Sequence, residues 1–335
     1  MPRQQRIAVQ GPYFEDFEVG QVFADAPGLT LSAGHAALHQ AIAGDRLRLA
    51  LDGPLCRAVT GQDRLLAHPS LVCDVAIGQS TGPTQRVRGN LFYRGLVLQA
   101  PVFIGDTLRT RTEVVALKQN RSETGLVTLR ITTANQRSEP VLDFWRCPMI
   151  PLRDPEASTG HADGFEGIPA ELDRERVRAA VPAGWDLDAL GEAGSGRFSE
   201  LEPGSVYEIE GRDTVTAAPE LARLTLNLAR AHTDAGATVH GRRLVYGGQT
   251  ISIAAAQATR ALPDLATVIA WQGCDHTGPV FEGDVLSTEL TVEGIEALDR
   301  SAGGLVDLRA VVHAHRDGSD EPVPVLDWRF VALMA

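Results

Sequence analysis

Apolar and polar residues alternate along several long stretches of the chain. In GLVTLRITTA, Val127, Leu129 and Ile131 fall on one face and Leu126, Thr128 and Arg130 on the other. A period of two is that of a strand with a buried face. Two segments break it. LVCDVAIGQS and QTISIAAAQATRAL stay apolar or small for about three turns, which predicts helices, and Pro263 stops the second because proline cannot continue one.

The same order of elements is written twice. FEDFEVGQVF, from Phe14, returns as FSELEPGSVY from Phe198. APVFIGDTLRTRTEVV returns as GPVFEGDVLSTELTV, which matches Pro101, Phe103, Gly105 and Asp106 with Pro279, Phe281, Gly283 and Asp284. GLVTLRITTA and PVLDFWRCPMIP return as GLVDLRAVVHA and PVLDWRFVALM, with Asp143 matched by Asp327. Collinear matches at nearly constant spacing indicate an internal duplication. The Gly-, Pro- and acid-rich stretch between the copies reads as a linker with one short helix around Glu171 to Ala180. The expected organisation is thus a unit at 14–152, a linker at 153–197 and a second unit at 198–335. Each unit is an antiparallel sheet curled around one central helix, so the fold class is α+β and the architecture a double hotdog. The competing picture is an all-β sandwich with an incidental helix.

Composition narrows the function. The 335 residues carry a formal charge of −12 and a pI of about 5.2. This argues against a protein that grips nucleic acid or an anionic membrane through its whole surface. The opening MPRQQRIAVQGPYFEDF lacks a signal peptide's apolar stretch, and no apolar run approaches the roughly 20 residues of a membrane helix. A cytoplasmic protein is expected. Cys56, Cys73, Cys147 and Cys274 have no CxxC spacing and read as buried thiols.

Candidate chemistry concentrates before the second helix, in LTLNLARAHTDAGATVHGRRLVYGGQTIS. This stretch resembles the MaoC-like (R)-specific enoyl-CoA hydratases, whose signature is Asp or Asn, four residues, then His-x-Asp, with a glycine downstream opening the central helix. Asn227, His232 and Asp234 match the signature, and Gly247 and Gly248 match the helix opening. The block GRRLVYGG looks still more like the mesaconyl-CoA hydratase branch of that family. GDRLRLALD, NLFYRG and PVLDFWR in the first copy fit it too.

The resemblance implies hydration or dehydration of an α,β-unsaturated acyl-CoA thioester, with mesaconyl-CoA and β-methylmalyl-CoA as the pair. CoA would be part of the substrate, and no further cofactor or metal is expected. Other enoyl-CoA substrates, or a non-catalytic acyl-CoA-binding protein, are the alternatives. Association of double hotdogs into a homo-oligomer is also compatible with the sequence. The residues suit this chemistry: His232 has the acidity of a base near neutral pH, Asn227 can hold a water from its amide, and N–H groups at Gly247 and Gly248 can polarise a carbonyl. Asn in place of Asp shifts more of the base role to His232.

Each candidate has a structural alternative. Asn227 can serve a turn, the two glycines can serve a tight connection, and Asp234 can cap the loop or orient His232. His232, Asp234 and His240 lack a fourth ligand at a metal-site spacing. Arg242 and Arg243 are candidates for a substrate carboxylate or a CoA phosphate, or a solvated pair, and Tyr246 for shaping the acyl pocket. In the first copy Asp45 stands at the acid position, but Ala50 replaces the histidine and Pro69 the glycine. That half is expected to supply a binding wall; a rival assignment recruits His68 as the base of a first-half site.

Overall fold

The computed structural model describes residues 9–120, 123–191, 197–298, 303–319 and 321–335. The first eight residues of the opening segment, and 192–196 of the expected linker, lie outside the described residues.

In the first copy the elements are β1 (Val22–Phe23), β2 (Leu29–Thr30), α1 (Ala33–Ala43), α2 (Arg48–Leu51), α3 (Gly53–Thr60), α4 (Pro69–Gln79), β3 (Gly89–Leu98), β4 (Thr107–Gln119), β5 (Thr124–Ala134) and β6 (Pro140–Pro151). Helix α5 (Arg174–Ala180) follows in the linker. The second copy comprises β7 (Val206–Glu208), β8 (Asp213–Thr214), α6 (Ala218–Leu224), α7 (Gly247–Ala261), β9 (Leu265–Asp275), β10 (Val285–Ala297), β11 (Gly304–His315) and β12 (Val323–Met334).

All the long strands join one antiparallel sheet in the order β1-β4-β5-β6-β3-β9-β12-β11-β10-β7. The order of the first half is mirrored in the second, and the halves meet where Leu96 and Val97 of β3 pair with Trp271 and Ala270 of β9. The two central helices, α4 and α7, pack against each other inside the curl. Every residue of α4 is buried, as is the run Gly248–Thr259 of α7.

The duplication extends to single hydrogen bonds. Asp106 Oδ2 accepts from the Phe103 N–H at 2.9 Å, and Asp284 Oδ2 from the Phe281 N–H at 3.0 Å. These bonds close the turn at Gly105 and Gly283, whose φ of 101° and 93° disfavours any side chain. Likewise the buried Gln79 amide donates to the Leu108 carbonyl and Gln257 to Leu286, each at 3.0 Å, fastening each central helix to its sheet.

Two features depart from the expectation of one helix per copy. The first copy carries α1–α3 ahead of its central helix, and the second carries α6. Ser32 caps α1 and Asp52 caps α3 by accepting from Leu55 N–H at 3.0 Å, and each helix ends at a glycine, Gly44 or Gly61, in the left-handed conformation. The linker, in turn, is a packed cover. Phe165 and Ile168 close over Phe92, Leu126 and Cys147 on the outer face of the sheet. Arg174 of α5 reaches Glu296 and Asp307 of the second copy at 2.9 and 2.7 Å. This explains why Leu126 and Thr128, on the polar face of the alternation, are buried. All four cysteines are buried free thiols.

Candidate active site

A cavity of about 130 Å³ opens between the two copies. Ile77, Thr81, Tyr93 and Arg146 line it from the first copy, and Asn227, His232, Tyr246, Gly247 and His276 from the second. The sequence places these residues far apart; the packing of α4 on α7 gathers them.

The loop bearing Asn227 is held by the first copy. Gly78 of α4 makes room for it: a Cβ there would stand 1.8 Å from the Thr225 carbonyl oxygen. Further along, Leu228 N–H donates to Thr81 Oγ1 at 2.8 Å and Arg230 N–H to the Gln85 carbonyl at 3.1 Å. Asn227 is buried, and its Oδ1 accepts from Ala229 N–H at 2.9 Å. That bond orients the side chain, and it leaves the amide N–H groups and a second lone pair on Oδ1 to offer a ligand.

His232 is partly buried, with Nδ1 at 2.9 Å from the Leu244 carbonyl. A carbonyl oxygen only accepts, so Nδ1 carries the proton and Nε2 bears the lone pair. Burial lowers the imidazole's pKa against the opposing effect of that bond, which keeps the ring neutral at pH 7. The Tyr246 ring lies 5.4 Å away.

Helix α7 begins at Gly247, directly after Tyr246, which makes no side-chain cap. Its first N–H groups lack intrahelical partners and point with the positive end of the dipole. A side chain on either glycine would force a neighbouring side chain to move. A Cβ on Gly247 would come within 2.5 Å of His276 Nε2, and one on Gly248 within 1.8 Å of Asp74 Oδ1. Gly247 lines the cavity, whereas Gly248 is buried against Asp74. Burial pushes the Asp74 carboxyl up to about 7, despite hydrogen bonds from Ser252 and Tyr246.

His276 was not singled out from the sequence. It follows β9 and reaches the same cavity. Burial first, and then neighbouring His232, bring its pKa down to about 4, and its buried Nε2 has no hydrogen-bond partner among the described residues. Its signal lies in the alignment of the copies: matching Pro101 with Pro279 sets His276 opposite Leu98.

Other candidates sit elsewhere. Asp234 is exposed, caps the following turn by accepting from Gly236 N–H at 2.9 Å, and pairs with Arg230 at 3.5 Å. Arg243 pairs with Glu282 at 2.5 Å, and Arg242 stacks over Phe281 at 4.3 Å while donating to the Glu282 carbonyl. These exposed arginines have protein partners and do not line the cavity. A polar cleft sharing Val87, Arg88 and Ala231 with the cavity is lined instead by Arg86, Arg88 and Arg230.

In the first copy a second cavity, of about 300 Å³, contains Asp45, Ala50, His39 and His68. Here His68 Nε2 meets Asp45 Oδ1 at 3.0 Å, and Nδ1 accepts from Ser70 N–H at 3.1 Å. No group of three or more His, Cys, Asp or Glu residues suited to a metal occurs among the described residues. Among them, too, no helix is long and apolar enough to cross a membrane.

A family model described as mesaconyl-CoA hydratase matches residues 4–267. A β-methylmalyl-CoA dehydratase from Chloroflexus aurantiacus is 29% identical, with 97% of each chain covered. A mesaconyl-CoA hydratase from Cereibacter sphaeroides is also 29% identical, over 97% of this chain and 98% of its own. Among solved structures, a double-hotdog protein from Mycobacterium tuberculosis is 51% identical and superposes with a TM-score of 0.90, covering 98% of this chain and 100% of its own.

Proposed function

The chain belongs to the mesaconyl-CoA hydratase family and is a hydro-lyase, and from that premise we propose that it interconverts mesaconyl-CoA and β-methylmalyl-CoA at the second-copy site. The observation that carries this reading is the pairing, in one cavity, of a neutral His232 whose Nε2 is free with the uncapped start of α7.

In the hydration direction the thioester carbonyl lies against the N–H of Gly247, and water sits between the Asn227 amide and His232 Nε2. His232 takes a proton from the water as its oxygen bonds to the β-carbon and the π electrons move onto the thioester as an enolate. The N–H groups of α7 stabilise the enolate oxygen. The imidazolium then returns its proton to the α-carbon, so one water adds across the double bond and the histidine ends neutral. Asn227 supplies no base, because a carboxamide does not take up a proton near neutral pH. The first copy acts as the wall of the site, with Tyr93 and Thr81 in the cavity.

The CoA phosphates are assigned to the adjoining cleft at Arg86, Arg88 and Arg230, a local cationic strip on an acidic protein. Arg242 and Arg243, expected from sequence near the ligand, line neither the cavity nor this cleft. The test is loss of enoyl-thioester absorbance on adding purified protein to mesaconyl-CoA. Turnover is expected without added metal or redox cofactor, and a protein inert in both directions would refute the reading.

A further inference from the structure

One charged side chain in the cavity is unexplained by hydration chemistry. Arg146, on β6, is 3% exposed and lines the cavity. Its Nη2 donates to the Ser80 carbonyl and to Thr84 Oγ1, both at 2.9 Å and both neutral, while its Nε has no partner. Among the described residues it forms no ion pair, although the chain has 43 acidic residues against 31 basic ones. Arginines nearby in the fold do find acids: Arg130 meets Asp143 at 3.1 Å and Arg243 meets Glu282 at 2.5 Å.

The duplication sharpens the anomaly. Matching Asp143 with Asp327 sets Arg146 opposite Phe330, which is 1% exposed in the core of the second copy. A core position in one copy thus holds a cation in the other. Burial lowers the pKa of Arg146, yet a guanidinium remains charged at neutral pH. An isolated buried cation is costly to desolvate, and an anion delivered by a ligand offsets that cost. Tyr93 and Tyr246 line the same cavity, and Tyr246 also lies beside His232.

We propose that Arg146 is the counter-ion for a free carboxylate on the acyl group, so that the first copy sets the enzyme's preference for dicarboxylic over neutral enoyl thioesters. This rests on the hydratase reading above. The planar guanidinium suits a carboxylate in a desolvated site. The competing role, bracing the turn at Ser80–Thr84, would act on every substrate alike.

The test compares kcat/KM for mesaconyl-CoA with that for 2-methylcrotonyl-CoA, which carries a methyl group in place of the free carboxylate. Arg146→Met is expected to lower the preference for the dicarboxylic substrate by roughly ten- to a hundredfold, with the neutral one changed by less than about threefold. Arg146→Lys should fall between. Parallel losses on both substrates, or a wild type that prefers the neutral thioester, would overturn the proposal.

A measurement on the wild type needs neither folded variants nor turnover. Calorimetry with two unreactive thioethers, S-(3-carboxypropyl)-CoA and S-butyl-CoA, should show the first binding about tenfold tighter or more. Equal affinities would overturn the role of Arg146 whatever the assay shows. A wild type inert towards both enoyl thioesters would refute the hydratase reading, while calorimetry repeated on Arg146→Met still decides the arginine, since the preference for the carboxylate thioether should vanish there and its survival would overturn the role.

Discussion

The two copies share a fold and even individual hydrogen bonds, yet they treat their histidines in opposite ways. In the first copy both ring nitrogens of His68 are taken, Nε2 by Asp45 and Nδ1 by Ser70 N–H. Pro69, at the start of the helix, has no N–H to offer. In the second copy His232 spends only Nδ1, on Leu244, and α7 opens with glycine. The first arrangement satisfies its polar groups, and the second leaves a base and donors without internal partners. Reactivity in this molecule goes with incomplete satisfaction, a local departure from what stability alone would select.

That contrast can be broken most directly by exchanging the losses. His232→Ala is expected to lower kcat by about a hundred- to ten-thousandfold, the range for a general acid–base group, with folding retained by circular dichroism. Asp45→Asn, in the satisfied copy, should change kcat by less than about threefold. Equal losses would mean that chemistry is shared between the copies and would end the comparison.

The next largest effect concerns the helix start. Gly247→Ala drives its Cβ into His276, so either the ring or the helix start must move. Displacements of about 1 Å in an active site can cost roughly a hundredfold, so kcat/KM for mesaconyl-CoA is expected to fall by about ten- to a hundredfold with little change in Tm. Full activity would remove Gly247 from the site.

Much of this molecule is legible in its sequence because the informative signals are local. Period-two strands, the apolar runs of α4 and α7, and the spacing from Asn227 to His232 depend on neighbours along the chain. Arg146 and His276 were missed because their significance depends on strands remote from the motif. A local signal for Arg146 does exist: Leu142, Phe144 and Arg146 share one face of β6 by alternation, and the other two are core residues. Helices α1–α3 were missed for another reason. Their caps, Ser32 and Asp52, are common loop residues, and the second copy has no repeat of these helices at full length. The linker's cover over the sheet rests on scattered single contacts such as Phe165 and Ile168, which no periodicity announces.

The smallest effect on catalysis, and the finest test of the satisfied copy, concerns acid stability. His39 is 1% exposed; His68 lies at a ring distance of 5.1 Å, Ser252 Oγ at 3.3 Å and Asp74 Oδ2 at 4.0 Å. Burial, and then His68, draw its pKa down to about 3, against a raising effect from Asp45. Asp74 cannot hold His39 cationic in mild acid, because burial pushes its own carboxyl up to about 7. In the unfolded chain a histidine takes up a proton near pH 6.5, whereas His39 in the folded protein does not until much lower pH. The unfolded state therefore binds more protons in that window, and His39 makes the protein lose stability as pH falls, by about 1.4 kcal/mol for each pH unit between 6 and 4. His39→Gln should flatten the fall by that slope in urea unfolding at pH 6, 5 and 4, while activity at pH 7 stays within about twofold. An unchanged slope would show that His39 takes up its proton in the folded state as readily as in the unfolded one, and a large loss of activity would show that the first copy reaches the reacting atoms after all.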